Sequence, residues 1–304
     1  MFRIKLKGKS MNKILVTLGQ EQDQKLALER GISMAKKMGA DVHVLICCYQ
    51  ELSWVNNVFG MLENKKLEAR IIQEKEHWWQ DYVKPYSGTV TISHEIVWSK
   101  YFVEEIFAHC DKHYYDLLIK KGHRSESILH TPSDWLLLRD SKIPVYIAVE
   151  QEPKTGQPIV VALDLMASSE EKQRLNNKLL KVASNFAKQT EAELHCCFAV
   201  ALPMIFSEMG VVDIEQQTQQ LETFARKNAK GLLDSYGIAA QNLHIGKGAA
   251  SEVITEVSES LDSSLTVIGS IGRKNIVGKV IGNACEQFLH ASRKDLLVIG
   301  LGDE

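Results

Sequence analysis

The sequence predicts an α/β protein built as two tandem domains of parallel sheet, and three observations predict it. Short apolar runs alternate with helix-patterned segments of ten or more residues, the signature of parallel βαβ units. The pattern then begins again after residue 158. Ile159-Val160-Val161-Ala162-Leu163 repeats Ile14 to Leu18, and Ala192-Glu193-Leu194-His195-Cys196-Cys197 repeats the run from Ala40 to Cys48 with small shifts. Finally, 304 residues suffice for two domains with a core each. A duplication of about 150 residues makes a domain pair and not a solenoid.

The elements follow in order. Ile14-Leu15-Val16 reads as a strand, and Leu26, Ala27, Arg30, Ile32, Ala35 and Met38 lie on an amphipathic helix that Gly39 ends. Val42 to Cys48 is the second strand. A loop with the apolar residues Trp54, Val55, Val58 and Phe59 precedes a long helix from about Glu63 to Tyr82. Val90, Ile92 and Ile96 mark a third strand, Phe102 to Tyr114 a helix, Leu117-Leu118-Ile119 a fourth strand, Pro132 to Arg139 a helix, and Val145 to Val149 a fifth strand. Glu150 to Pro158, with Pro153, Gly156 and Pro158, is a linker. The second copy places helices at Glu170–Gln189, Ile214–Tyr236 and Ser251–Leu261. It closes with the strands Leu265–Ile268 and Leu296–Ile299. The expected domains are therefore residues 11–150 and 159–304.

Composition narrows the function classes. Hydrophobic residues make up 45% of the chain and charged residues 24%, with a formal net charge of −2, ordinary values for a globular protein. Residues 1–150 carry 21 Lys and Arg against 19 Asp and Glu, and residues 151–304 carry 15 against 19. Neither half has the basic footprint of a nucleic-acid binder. No apolar run reaches the roughly 18–20 residues needed to span a bilayer. Met1 to Ser10 is basic but lacks a following apolar region, so it reads as a tail and not as a signal peptide. The six cysteines include the vicinal pairs Cys47-Cys48 and Cys196-Cys197 inside strand patterns. With no CxxC spacing, buried reduced thiols in a cytoplasmic protein are the better reading, and a metal site is not expected.

The chemistry concentrates between Leu265 and Ile299. Gly269 and Gly272 let a chain leaving a strand turn sharply and present backbone N–H groups. Gly282 and Asn283 open a helix, whose first N–H groups and positive dipole end attract an anion, most often a phosphate. Glycines serving only the turns of a plain strand–loop–helix connection are the competing explanation. A Walker A loop is excluded, because five residues separate Gly272 from Gly278-Lys279 and Val280 occupies the Mg²⁺-binding position. No GxGxxG or GxSxG motif is present.

Gly269, two residues, Gly272, nine residues, then Gly282-Asn283 resembles the nucleotide-binding motif of the universal stress protein family. Asn283 departs from the Ser or Thr usual there, although Asn is itself a good N-cap. With the duplication, the resemblance covers nearly the whole chain and is to tandem members of the E type. It implies a five-stranded parallel sheet per domain, strand order 3-2-1-4-5, with helices on both faces. It also implies that Asp164, at the end of the second copy's first strand, contacts adenine or ribose; a turn residue or helix cap is the alternative. Asp164, Gly269, Gly272, Gly282 and Asn283 are thus the expected ligand-binding residues.

The first copy lacks these parts. Gly19 stands where Asp164 does, Lys120-Lys121-Gly122-His123-Arg124 replaces the GxxG, and Thr131-Pro132 replaces Gly282-Asn283. Proline has no N–H to offer an anion. The expected function is a regulatory stress protein that binds ATP or a related nucleotide in its C-terminal domain only, with Mg²⁺ as a companion left open. No catalytic residue is assigned, so an enzyme is not expected. A binding protein for another phosphate-bearing ligand with an apolar portion, seated against the run Pro203-Met204-Ile205-Phe206, is the alternative. The expected partner is a small phosphate-bearing molecule, without nucleic acid, and a homodimer is left open.

Overall fold

The computed structural model describes residues 5–6, 9–19, 25–122, 132–149, 154–200, 214–270 and 283–301. The chain divides into two compact units, Met1–Gly122 and His123–Glu304.

The first unit begins with a short antiparallel pair, β1 (Lys5–Leu6) and β2 (Lys9–Ser10). It continues with β3 (Lys13–Leu18), α1 (Lys25–Met38), β4 (Asp41–Cys48), α2 (Ser53–Phe59), α3 (Met61–Val83), β5 (Ile92–Trp98), α4 (Phe102–Lys112) and β6 (Leu117–Lys121). The four long strands pair in parallel in the order β5-β4-β3-β6, which is the expected order for strands 3-2-1-4. Strand β4 is buried from Val42 to Cys48, as a continuous apolar run covered on both faces should be.

Two residues show why both faces are covered. A Cβ on Gly31 of α1 would collide with Val16, so the missing side chain lets helix and sheet approach closely. Val16 pairs with Val44, one residue from His43, and His43 stacks against His109 of α4. Adjacent strand residues point to opposite faces, which puts α1 and α4 on opposite sides. The run at Trp54–Phe59 is helix α2 and not a loop, with Trp54, Val58 and Phe59 exposed. Helix α4 stops at Lys112, and His113 is already extended.

The second unit holds α5 (Pro132–Asp140), β7 (Val145–Ala148), β8 (Ile159–Ala162), α6 (Glu170–Thr190), β9 (Leu194–Val200), α7 (Ile214–Tyr236), β10 (Leu243–Lys247), α8 (Ala250–Ser260), β11 (Leu265–Ser270), α9 (Asn283–Ala291) and β12 (Asp295–Gly300). Its parallel strands run β10-β9-β8-β11-β12, the 3-2-1-4-5 order. Strand β7, the fifth strand of the first sequence repeat, lies in this unit and pairs antiparallel with β12. Strand β10 is marked in the sequence only by the short alternation around Leu243 and Ile245. Helix α6 packs on the face of Gly269 and α8 on the face of Gly246. The register places those glycines on opposite faces.

Candidate functional site

In the second unit the chain leaves β8 for α6 and β9 on one side, while β11 lies on the other. Adjacent parallel strands whose connections diverge leave a crevice at their C-terminal ends, the usual ligand position in open α/β sheets. Asp164 follows β8 by two residues. Gly269 is the penultimate residue of β11, and the two strands run in the register Val161↔Val267. The fold therefore brings Asp164 and Gly269 to the same end of neighbouring strands, although 105 residues separate them in the sequence.

Asp164 is held by its backbone as well as its carboxylate. Its N–H donates to Asn176 Oδ1 at 3.0 Å, and its carbonyl accepts from Asn176 Nδ2 at 2.8 Å. The carbonyl also accepts from the N–H of Ala167 at 3.2 Å. One carboxylate oxygen accepts from the Met166 N–H at 3.1 Å, an Asx turn, and the other from Lys172 Nζ at 2.8 Å. Ser169 caps α6 by accepting from the Lys172 N–H at 3.3 Å. Asn176 is buried, so its amide is committed to this turn. The Asp164 and Lys172 side chains remain 41% and 45% exposed, so both can reach a ligand. Sequence reading found Asp164 but missed Asn176 and Lys172. Their spacing of 12 and 8 residues from Asp164 becomes meaningful only once α6 folds back along β8.

Gly269 has a different local role from the one its motif suggests. It sits inside β11, paired with Ile299, and the strand continues to Ser270. A Cβ here would stand 2.7 Å from Leu175 Cδ2 and 3.1 Å from Leu179 Cδ1. Close approach of α6, and not a turn, requires glycine at this position. Asn283 is the first residue of α9. Gly272, Gly282, the Asn283 side chain and the run Pro203–Phe206 lie outside the described residues.

At the corresponding end of the first unit, Gly19 has the Phe102 ring 3.9 Å from where its Cβ would be. Lys120, level with Thr17 on β3, is buried; its ammonium donates to the Lys121 carbonyl at 3.1 Å and lies 6.0 Å above the Phe102 ring. His123, Arg124 and Thr131 are outside the described residues. The six cysteines are free thiols. Burial pushes Cys47 and Cys196 up to about 12, which keeps them protonated and unreactive at neutral pH. Among the described residues, no helix is long and apolar enough to cross a membrane.

Comparison with known proteins extends this geometry. Residues 156–300 match the model of the universal stress protein family. The chain is 28% identical over 293 residues to Universal stress protein E of Escherichia coli K12, covering 94% of this chain and 93% of that one. A crystal structure of a functionally unknown protein from Pseudomonas aeruginosa PAO1 is 25% identical, with a TM-score of 0.71 over 95% of this chain and 92% of the other. A universal stress protein from Archaeoglobus fulgidus shares the fold at 16% identity, with a TM-score of 0.66 over 95% of this chain and 98% of the other.

Proposed function

We propose, from the match of residues 156–300 to the universal stress protein family and the 28% identity to Universal stress protein E over nearly the whole chain, that this protein is a stress-response protein binding ATP or a related nucleotide in its C-terminal domain. The observation that carries this reading is the meeting of Asp164 and Gly269 at the C-terminal ends of β8 and β11, where the strand connections diverge. From Gly269 the chain leads into the segment holding Gly272 and Gly282, and then into the N-terminus of α9. Phosphates would lie against backbone N–H groups there, where the helix dipole favours negative charge. Asp164 would accept from ribose hydroxyls or the adenine amine. Lys172, now on Asp164, would be free to face the phosphates once a ligand hydroxyl takes its place.

The proposed role is binding and signalling, and no residue is assigned as general base or nucleophile. The first domain, with Gly19 for Asp164 and Thr131-Pro132 for Gly282-Asn283, serves as a structural or partner-binding copy. One observation favours a second reading, a phosphate-bearing ligand with an apolar tail and no nucleotide base. The Asp164 carboxylate already has two partners, so a base or ribose must compete for it.

Calorimetric titration of the full chain with ATP tests the proposal. Binding near one site per chain, lost in Gly282→Val because a side chain blocks the phosphate, is expected. Equal affinity in both proteins would overturn the motif assignment. Native mass spectrometry of the purified protein separates the two readings by the mass of any ligand retained.

A further inference from the structure

The face of the first unit covered by α4 carries a cluster that the nucleotide reading leaves unused. His43 on β4, Glu95 on β5 and His109 on α4 come together so that one donor atom from each lies within 4.8 Å of the other two. We propose that these three residues form a binding site for a single divalent transition metal of the Zn²⁺ class.

The argument starts from the hydrogen bonds of the two rings. His43 Nδ1 lies 2.8 Å from Ser93 Oγ, and His109 Nε2 lies 2.7 Å from the Tyr115 hydroxyl. Each imidazole is thus anchored through one nitrogen, leaving the other for the cluster; the rings lie 10° from parallel with centroids 5.0 Å apart, so one ring turns about its hydrogen bond to share an ion. Metal-ligating histidines are commonly held this way, with the outer nitrogen on an oxygen that sets tautomer and orientation. His43 is 9% exposed, and its Nε2 is buried without a hydrogen-bond partner. A buried imidazole nitrogen left without a partner is destabilising, and a cation would satisfy it. His109 Nδ1 faces Glu95 Oε2 at 3.6 Å, beyond hydrogen-bonding distance but suited to an ion between them.

The donor chemistry fits the same class. Two imidazoles and one carboxylate, with an open position for water, match borderline divalent ions and not hard oxygen-seeking ones. Metal–ligand bonds of about 2.0–2.2 Å require the donors to close up by roughly 1 Å. Glu95 is 49% exposed and free to swing inward. The opposing groups are Lys13, whose ammonium lies 5.0 Å above the Tyr115 ring, His113, whose ring centroid is 4.7 Å from that of His109, and His94. Glu95 supplies the countercharge.

The second copy provides an internal control. His195 occupies the position of His43, but its Nδ1 lies 3.0 Å from His244 Nε2. The Nε2 of His195, the counterpart of the unpartnered His43 Nε2, faces Glu193 Oε2 at 3.5 Å.

The full-length protein, stripped with a chelator, is titrated with Co²⁺ and with Zn²⁺. We expect a visible d–d band of tetrahedral cobalt, displaced by one equivalent of Zn²⁺, in wild type and in His195→Gln. Glu95→Gln should weaken uptake by more than tenfold, and Ser93→Ala, which frees the His43 ring, by about tenfold. Because Glu95 is half exposed, its variant retains the fold, which circular dichroism verifies. No cobalt band in wild type, or a band undiminished in Glu95→Gln, overturns the site.

Discussion

An added Cβ on Gly269 would stand 2.7 Å from Leu175 Cδ2, so the glycine that opens the phosphate motif is also the seat of helix α6. Leu175 and Leu179 are themselves buried, and neither can retreat without opening a gap elsewhere. Gly269→Ala should therefore destabilise the protein by about 1–3 kcal/mol through overpacking. A lower urea midpoint at unchanged slope is the expected result. Adding Leu175→Ala should recover part of the loss, as a double-mutant cycle measures. A midpoint equal to wild type would show that the crowding is relieved at no cost.

The antiparallel pair β7–β12 rests on a buried acid. Tyr146 donates its hydroxyl to Asp295 Oδ2 at 2.6 Å, and the Val149 N–H donates to Asp295 Oδ1 at 2.9 Å. Hydrogen bonds to charged groups contribute about 1.5–3 kcal/mol, so Tyr146→Phe should cost that much. Denaturant unfolding is the measurement, and a change below about 0.5 kcal/mol would assign the pair no energetic weight.

Asn176 clamps the backbone of Asp164 from both sides. Asn176→Ala takes the partner from the part-buried Asp164 N–H and one of two from its carbonyl, costing about 1 kcal/mol. If the nucleotide reading holds, ATP affinity should fall as well, since a loosened Asp164 must be ordered again on binding. Calorimetry on Asn176→Ala and Asp164→Asn separates the effects. Asp164→Asn should weaken ATP while leaving stability near wild type, because its Lys172 contact is a surface ion pair. Unaltered ATP affinity in both variants would remove Asp164 from the site.

These residues also show what the sequence makes legible. The strands and their 3-2-1-4-5 order in the second unit were readable, because parallel βαβ units leave long periodic segments and the resemblance supplied the order. Asp164 was readable from its place at a strand end. Gly269 was found for the wrong local reason. A GxxG spacing looks the same whether the first glycine turns the chain or admits a helix, and only the position of Leu175 decides. Helix α2 carries no amphipathic signal in the sequence, because its apolar residues Trp54, Val58 and Phe59 face outward. The pairing of His43 with Glu95 and His109 is a product of strand register and helix placement, which no local spacing encodes.

The acid sensitivity of the second unit should trace to its histidine pair. His195 Nδ1 and His244 Nε2 are 3.0 Å apart, and such a bond needs one N–H and one lone pair. Both rings cannot be fully protonated while it persists. His244 is lowered below its ordinary value of 6.5, first by burial and then by the charges of His195 and Arg226. In the unfolded chain His244 takes up its proton near 6.5; in the folded chain it does so at lower pH. Above both values the two states are equally deprotonated and the pair carries no penalty. As pH falls through 6.5 the unfolded state binds more protons, and stability drops by at most about 1.4 kcal/mol per pH unit for one group. Urea midpoints between about pH 7.5 and 5 should therefore decline more steeply in wild type than in His244→Gln. His43 and His109, also lowered by burial, contribute to both proteins and cancel in the comparison. Parallel declines would assign the acid sensitivity to the first unit instead.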